Sequence, residues 1–322
     1  MQLLSRRGFL GMAGAAGLLA ISACSSDKTD NSTPSSVTVK HQFGETTIAA
    51  PPKRVVSAGF TEQDDLLAVG VVPVAVTNWW GDQPFGVWPW ARPKLGSAQP
   101  AVLSLDNGLE FDKIAALKPD LIVATNAGVD QDSYNRLSSI APTIPQSGND
   151  PFFEPWKVQA TAIGQAVFQG DQMRALIGDV DKKFSEAGSA NAQFEDKKVL
   201  VAQGSLYRDE FVVTAPGWRT EFLTQMGFVV PDEIKQFSVD DSRAMVPRDK
   251  AVDAFGTADV VIWKTESDDE QARLQADPTF GKLNKRNVFT GKDLAGAIAF
   301  SSPLSLPVVA AQLPPMLAKA IG

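Results

Sequence analysis

The sequence predicts an α/β fold of two Rossmann-like lobes joined by a single long α-helix. Three observations carry this. Short apolar strands alternate with helical spacings in both the first and the last third of the chain. Several strands are continuous apolar runs, as in parallel sheets covered on both faces. Between the two alternating regions lies one stretch of sustained helical period.

Taken in order, Val37 to Ile48 alternates apolar and polar around Phe43-Gly44, a short hairpin closed by Pro51-Pro52. Arg54 to Ala58 is a strand. Glu62 to Val69 is a helix with Thr61 as its cap and Gly70 as its stop. Val72 to Val76 is a strand, Glu110 to Leu117 a helix ended by Lys118-Pro119, Asp120 to Ala124 a buried strand and Tyr134 to Ile140 a helix. Then Trp156, Ala160, Ile163 and Val167 fall at spacings of four, three and four. After Gly170-Asp171 the period resumes through Met173, Val180 and Phe184, giving a helix from about Asp171 to Ala187, roughly 25 Å long. The α/β pattern restarts with a strand at Lys198–Ala202, helices at Thr220–Met226 and Lys250–Phe255, and strands at Val260–Trp263 and Val288–Phe289. It ends in a helix from Ser305 to Ile321 interrupted at Pro314-Pro315. The expected lobes are residues 37–155 and 191–322, with connecting helices over 156–190.

Before this body the chain reads as an address. Ser5-Arg6-Arg7-Gly8-Phe9-Leu10 resembles a twin-arginine export signal, and Gly8 to Ala23 is an uncharged stretch too short for a membrane span. Ile21-Ser22-Ala23-Cys24 resembles a lipobox, with cleavage before Cys24 and lipid on its thiol. Removal of residues 1–23 takes Arg6 and Arg7 and moves the formal charge from −7 to −9. Residues 24–36 hold almost nothing apolar and read as a flexible tether. The body is thus expected at the outer face of the plasma membrane, in the cell envelope.

Of 322 residues one is Cys and one is His. This excludes an intrachain disulfide, a Cys-built zinc or iron–sulfur site and a multi-His metal centre. The acidic balance argues against a nucleic-acid partner. No nucleophile elbow, dinucleotide fingerprint or phosphate loop occurs, which argues against an enzyme. His41 falls within the first hairpin and reads as structural.

Aromatic residues in loops carry the chemistry. Trp79-Trp80-Gly81-Asp82-Gln83-Pro84-Phe85-Gly86-Val87-Trp88-Pro89-Trp90 holds four Trp in twelve residues, and Arg92 follows it. Phe152-Phe153-Glu154-Pro155-Trp156 is a second cluster. The last third adds Tyr207-Arg208, Trp218-Arg219 and Trp263-Lys264. Ligands of open α/β sheets sit beyond the C-terminal ends of strands, where several of these fall. The candidate ligand-binding set is Trp79, Trp80, Trp88, Arg92, Phe152, Trp156, Tyr207, Arg208, Trp218, Arg219, Trp263 and Lys264. Aromatic rings beside guanidinium and ammonium groups suit a polydentate, partly apolar, anionic ligand. For any single Trp, packing in the core is the competing reading.

The chain resembles the iron-siderophore/haem/cobalamin class of ABC-transporter substrate-binding proteins, and in texture its actinobacterial lipoproteins. The resemblance rests on Phe43-Gly44 ahead of Pro52-Lys53-Arg54-Val55-Val56, on Asp65 to Val74, on Asp112-Lys113-Ile114-Ala115-Ala116-Leu117-Lys118-Pro119-Asp120-Leu121-Ile122, and on Ala258-Asp259-Val260-Val261-Ile262. It implies the two-lobed, single-helix architecture called class III or cluster A, a monomeric non-enzymatic receptor, and delivery of ligand to an ABC permease driven by a separate ATPase. It also implies one acidic docking residue per lobe, which falls on Asp112, with Glu110 as the alternative, and on Asp249. With a single His, the cargo is expected to be metal already chelated, a ferric siderophore, with no protein atom on the iron and no intrinsic cofactor. Haem or cobalamin is the alternative; for haem, Tyr207 would be the axial donor. An envelope enzyme or structural lipoprotein reusing the fold is the second alternative.

Overall fold

In the computed structural model, residues 36–322 are described; the export signal, Cys24 and nearly all of the tether lie outside the described residues. The chain opens with β1 (Val37–His41) and β2 (Gly44–Ile48), an antiparallel hairpin that pairs His41 with Gly44. The N-terminal lobe continues with β3 (Val55–Ser57), α1 (Glu62–Ala68), β4 (Ala75–Thr77), β5 (Ala101–Leu103), α2 (Phe111–Ala116), β6 (Leu121–Ala124), α3 (Gln131–Ile140) and β7 (Thr143–Pro145). Its five strands form a parallel sheet in the order β5-β4-β3-β6-β7. The central strands β3 and β6 are buried along their whole length, as their continuous apolar runs require.

Two helices follow, α4 (Trp156–Ala166) and α5 (Gly170–Ser189). The second is the long helix, about 30 Å at its 20 residues. α4 packs on α1, β1 and β7, whereas α5 packs against the C-terminal lobe. That lobe comprises β8 (Val199–Tyr207), β9 (Glu210–Thr214), α6 (Glu221–Gln225), β10 (Arg243–Pro247), α7 (Arg248–Gly256), β11 (Val260–Lys264), α8 (Asp268–Gln275), α9 (Pro278–Leu283), β12 (Arg286–Phe289), α10 (Gly291–Phe300) and α11 (Leu306–Ile321). Its sheet runs β10-β9-β8-β11-β12, with β8, β11 and β12 parallel and β9 and β10 antiparallel.

The two lobes share an exposed device at the head of a strand. Asp120 accepts from the backbone N–H of Lys53 at 2.8 Å and of Arg54 at 2.7 Å, while Arg54 reaches back to the Leu117 carbonyl at 2.7 Å. The Leu-Lys-Pro-Asp run is therefore a clamp between two neighbouring strands. In the second lobe Asp259 accepts from Lys198 N–H at 2.8 Å in the corresponding place.

One apolar core runs from Val55, Leu66 and Leu121 through Ile163 and Phe184 to Val199, Val260 and Leu313. It welds the inner faces of both sheets to the connecting helices. The outer faces carry separate clusters, around Ile122 and Leu137 in one lobe and around Phe255 and Trp263 in the other.

Two expectations are corrected. α11 passes through Pro314 and Pro315 without a break. Two prolines forfeit two helical hydrogen bonds, but Leu306, Val309, Leu313, Leu317 and Ile321 bury one face of this helix and hold it continuous. The strand expected to end at Ala202 extends to Tyr207 and turns through a tight hairpin into β9. Arg208 and Asp209 take φ of 49° and 69°, as a two-residue primed turn demands at both central positions.

Candidate ligand cleft

The segments leaving β3, β4 and β7 in one lobe face β8 and the C-terminal end of β11 in the other across a cavity of about 720 Å³. This is within the range of small-ligand sites. The loops leaving the first three strands build one wall. Phe60 follows β3, Trp79 and Trp80 follow β4, and Phe152 and Phe153 come from the segment after β7. Phe60 stacks on Trp79 at 5.7 Å and on Phe152 at 5.8 Å between ring centroids, and Trp79 meets Phe153 at 5.0 Å.

Buried polar contacts hold this wall in place. Glu62 accepts from Asn126 N–H at 2.8 Å, and Asn126 Oδ1 in turn accepts from Phe153 N–H at 2.9 Å. Gly128, at φ +68°, lets the Phe152 ring lie where a β-carbon would come within 2.4 Å of it. Asp64 accepts from Trp90 Nε1 at 2.7 Å, and Asp65 accepts from Gln159 Nε2 at 2.7 Å. Glu62, Asp64 and Asp65 are all buried on α1. Burial raises Glu62 to about 7 and Asp64 to about 6, and pushes Asp65 well above the carboxylate range.

The opposite wall is polar. Val201, Gln203 and Ser205 line the cavity from alternate positions of β8, joined by Arg219, Arg243, Lys264, Glu266 and Glu270. Arg243 is paired with Asp240 at 2.8 Å. Lys264 and Arg219 differ: each is half-buried, and among the described residues neither makes a side-chain hydrogen bond or a direct salt bridge, although Asp240 and Asp150 act on Arg219 through space. Burial, then the neighbouring Arg219, pushes Lys264 down to about 8; burial pushes Arg219 down to about 10. The Arg219 guanidinium lies 4.3 Å from the Trp218 ring and 4.8 Å from the Phe153 ring, a bridge between the walls.

Of the twelve residues the sequence proposed, Trp79, Trp80, Phe152, Arg219 and Lys264 line the cavity and seven do not. Trp263 is fully buried on the far side of its sheet, stacked 5.4 Å from Phe255, with its indole donating to Asn287 at 2.7 Å. Successive strand residues face opposite ways, so Trp263 and Lys264 cannot share a site. Trp88 is 1% exposed and packs against Gly81, Gly296 and the Trp90 ring; it is the footing beneath Trp80, which it meets at 4.9 Å. Trp156 is buried in the first turn of α4, and Trp218 packs on the shared core. Arg92 is exposed and donates to Gln83 at 2.9 Å. Tyr207 and Arg208 belong to the β8–β9 hairpin turn, with Tyr207 53% exposed. No His, Tyr, Cys or Met lines the cavity among the described residues, so the axial role considered for Tyr207 finds no geometric support. His41 is buried in the hairpin, hydrogen-bonded to Thr46 at 3.0 Å and tilted against Tyr134 at 5.1 Å. Phe60, Phe153, Gln203 and Arg243 were missed. Phe60 follows a strand end just as Trp79 does, and that placement was the signal available.

Two α/β lobes, a helical connection and a cleft fed by strand C-termini are the architecture of two-lobed solute-binding proteins. The chain belongs to the periplasmic binding protein family, whose model matches residues 55–292. It is similar to a periplasmic solute binding protein from Mycobacterium smegmatis, with 58% identity, TM-score 0.85, and coverage of 89% of this chain and 99% of that one. It is also similar to PiaA of Streptococcus pneumoniae, solved in complex with ferrichrome, with 25% identity, TM-score 0.71, and coverage of 88% and 98%. Among curated relatives, "Probable siderophore-binding lipoprotein YfiY" of Bacillus subtilis is 32% identical over 228 residues, 67% of this chain and 65% of that protein. The match thus spans just under two thirds of that relative's length.

Proposed function

We propose that this protein is the receptor of an ABC importer for iron chelates: it captures a ferric siderophore in the cleft and passes it to a permease. The observation that carries this is the cavity wall, which offers rings and cations, while its carboxylates form no cluster able to hold a bare metal ion among the described residues. Such a site suits iron whose coordination is already filled by its chelator. The names of the Bacillus and Streptococcus relatives point the same way. Haem fits less well, because the cavity wall provides no His, Tyr, Cys or Met for an axial bond.

Tethering through lipid on Cys24 is supported by the lipobox-like Ile21-Ser22-Ala23-Cys24 and the polar residues after it. No helix among the described residues is long and apolar enough to cross a membrane. Docking is assigned to Asp112 and Asp249, both exposed in the first turns of α2 and α7. The continuous core between the lobes restricts closure to small movements. Trp79 and Trp80 report on occupancy: saturable quenching of their fluorescence by ferric siderophores, with none by haem, is the expected result. Saturable quenching by haem alone would reassign the cargo.

A further inference from the structure

The cleft divides its chemistry between the lobes. Phe60, Trp79, Trp80, Phe152 and Phe153 bring apolar surface from the first lobe, while Lys264 and Arg219 come from the second. Rings attract by area and polarisability, which discriminates weakly between ligands of different charge. A cation partly withdrawn from water without a hydrogen-bonded counter-charge is costly to the empty protein, and Lys264 and Arg219, half-buried in the cavity wall, are in that condition. The carboxylates of the site relieve it only in part: Asp240 and Asp150 act on Arg219 through space, and neither is hydrogen-bonded to it. Asp240 is committed to Arg243, and Asp150 and Glu266 are exposed at the rim. Glu270 is half-buried and accepts from the Glu266 N–H. Of the half-buried charges on this wall, Lys264 and Arg219 are therefore the ones left without a hydrogen bond among the described residues.

Resting on the iron-chelate reading above, we infer that Lys264 and Arg219 are the specificity-determining residues of the cleft: they select ferric chelates of net negative charge, with anionic oxygens turned to the C-terminal lobe and the apolar face to Trp79 and Phe152. The planar fork of Arg219 meets paired oxygens, and Lys264 supplies a point charge beneath them. The aromatic wall then supplies affinity common to all chelates.

The test measures dissociation constants by Trp quenching for four probes: ferric dicitrate and a ferric tris-catecholate, both anionic; ferrichrome, neutral; and ferrioxamine B, cationic. Wild-type protein is expected to bind at least one anionic chelate about ten-fold or more tightly than the other two classes. Lys264→Met and Arg219→Met are each expected to erase about ten-fold or more of that preference while changing ferrichrome binding less than about three-fold. Trp79→Leu is expected to weaken every chelate that binds by a similar factor. Equal or tighter binding of neutral or cationic chelates by the wild type overturns the inference and leaves the receptor reading standing; this arm needs no variant to fold. Equal losses for all chelates in the two Met variants also overturn it. Failure of every chelate to bind overturns the receptor reading together with the inference.

Discussion

Ser302 donates its hydroxyl to Asp64 Oδ2 at 2.6 Å, joining residues 238 positions apart. The same oxygen accepts from the Trp90 indole. Asp64 lies on α1, which leads out of Phe60, and Ser302 follows α10, whose Ala295 and Ile298 line the cleft. One buried carboxyl thus ties the aromatic wall to the opposite side of the site. Asp65, through Gln159, ties α1 to the connecting helix α4.

These carboxyls make stability depend on pH in an unusual direction. Their folded pKa values, about 7 for Glu62 and about 6 for Asp64, lie above those of the unfolded chain. The folded state therefore binds more protons, and the stability they contribute is full below about pH 4 and lost as pH rises through 6 and 7. Each contributes on the order of 3 kcal/mol across that window. His41, whose pKa burial lowers, acts in the opposite sense as pH falls below the ordinary imidazole value. The decisive measurement is therefore a difference. Glu62→Gln and Asp64→Asn are expected to flatten the decline of Tm between pH 5 and 7.5 relative to wild type, by about 4 °C and about 2 °C respectively. A parallel decline in wild type and both variants would refute the neutral-carboxyl assignment.

The aromatic residues divide into footing and surface, and substitution separates them. Trp88→Ala and Trp263→Ala each empty a fully buried site and are expected to cost about 3–5 kcal/mol in urea unfolding. Tyr207→Ala lies on an exposed turn and is expected to change stability by less than about 1 kcal/mol, with chelate affinity unaltered. Trp79→Ala is expected to leave stability nearly intact and weaken binding. A Tyr207→Ala variant that lost chelate would bring the hairpin turn back into the site.

Lobes, connecting helix and parallel strands were legible because continuous apolar runs and a single long helical period are local signals. Lys264 and Trp263 show where that legibility ends. The period-two rule places Val260 and Ile262 in the shared core and Val261 and Trp263 in the outer cluster, so reading Trp263-Lys264 as one unit joined opposite faces. Tyr207 was misplaced because Gln203-Gly204-Ser205 looks like a loop, whereas Gly204 sits where a β-carbon would come within 2.9 Å of the Lys264 carbonyl, close beside β11. The acids of α1 drew no attention, since their burial depends on Trp90, Gln159 and Ser302, which arrive from three distant segments.

Docking and capture are expected to separate genetically. Asp112 and Asp249 are exposed and lie away from the residues that line the cleft. The double variant Asp112→Ala/Asp249→Ala should bind ferric chelate within about two-fold of wild type while slowing chelate uptake in cells. Glu110, which accepts from Ser104 N–H at 2.9 Å and pairs with Lys113 at 3.3 Å, is already engaged within its own lobe. Glu110→Gln is the control, expected to leave uptake unchanged. Normal uptake by the double variant, with reduced uptake by Glu110→Gln, would transfer the role to Glu110.

A site that keeps an unpaired cation for its ligand should be less stable when empty than it could be. Lys264 has a folded pKa of about 8, below the value of the unfolded chain, because burial and Arg219 oppose its charge. Between about pH 8 and 10 the unfolded chain binds more protons, so the Lys264 contribution makes the empty protein more stable as pH rises. Lys264→Met removes the buried charge while keeping most of the side-chain volume. The variant is expected to unfold at higher temperature than the wild type at pH 7, by about 2–4 °C, and the advantage should shrink as pH approaches 10. Adding an anionic ferric chelate should reverse the order, stabilising the wild type more than the variant. A Lys264→Met protein less stable than the wild type at pH 7 without ligand would mean that this ammonium group serves the fold itself.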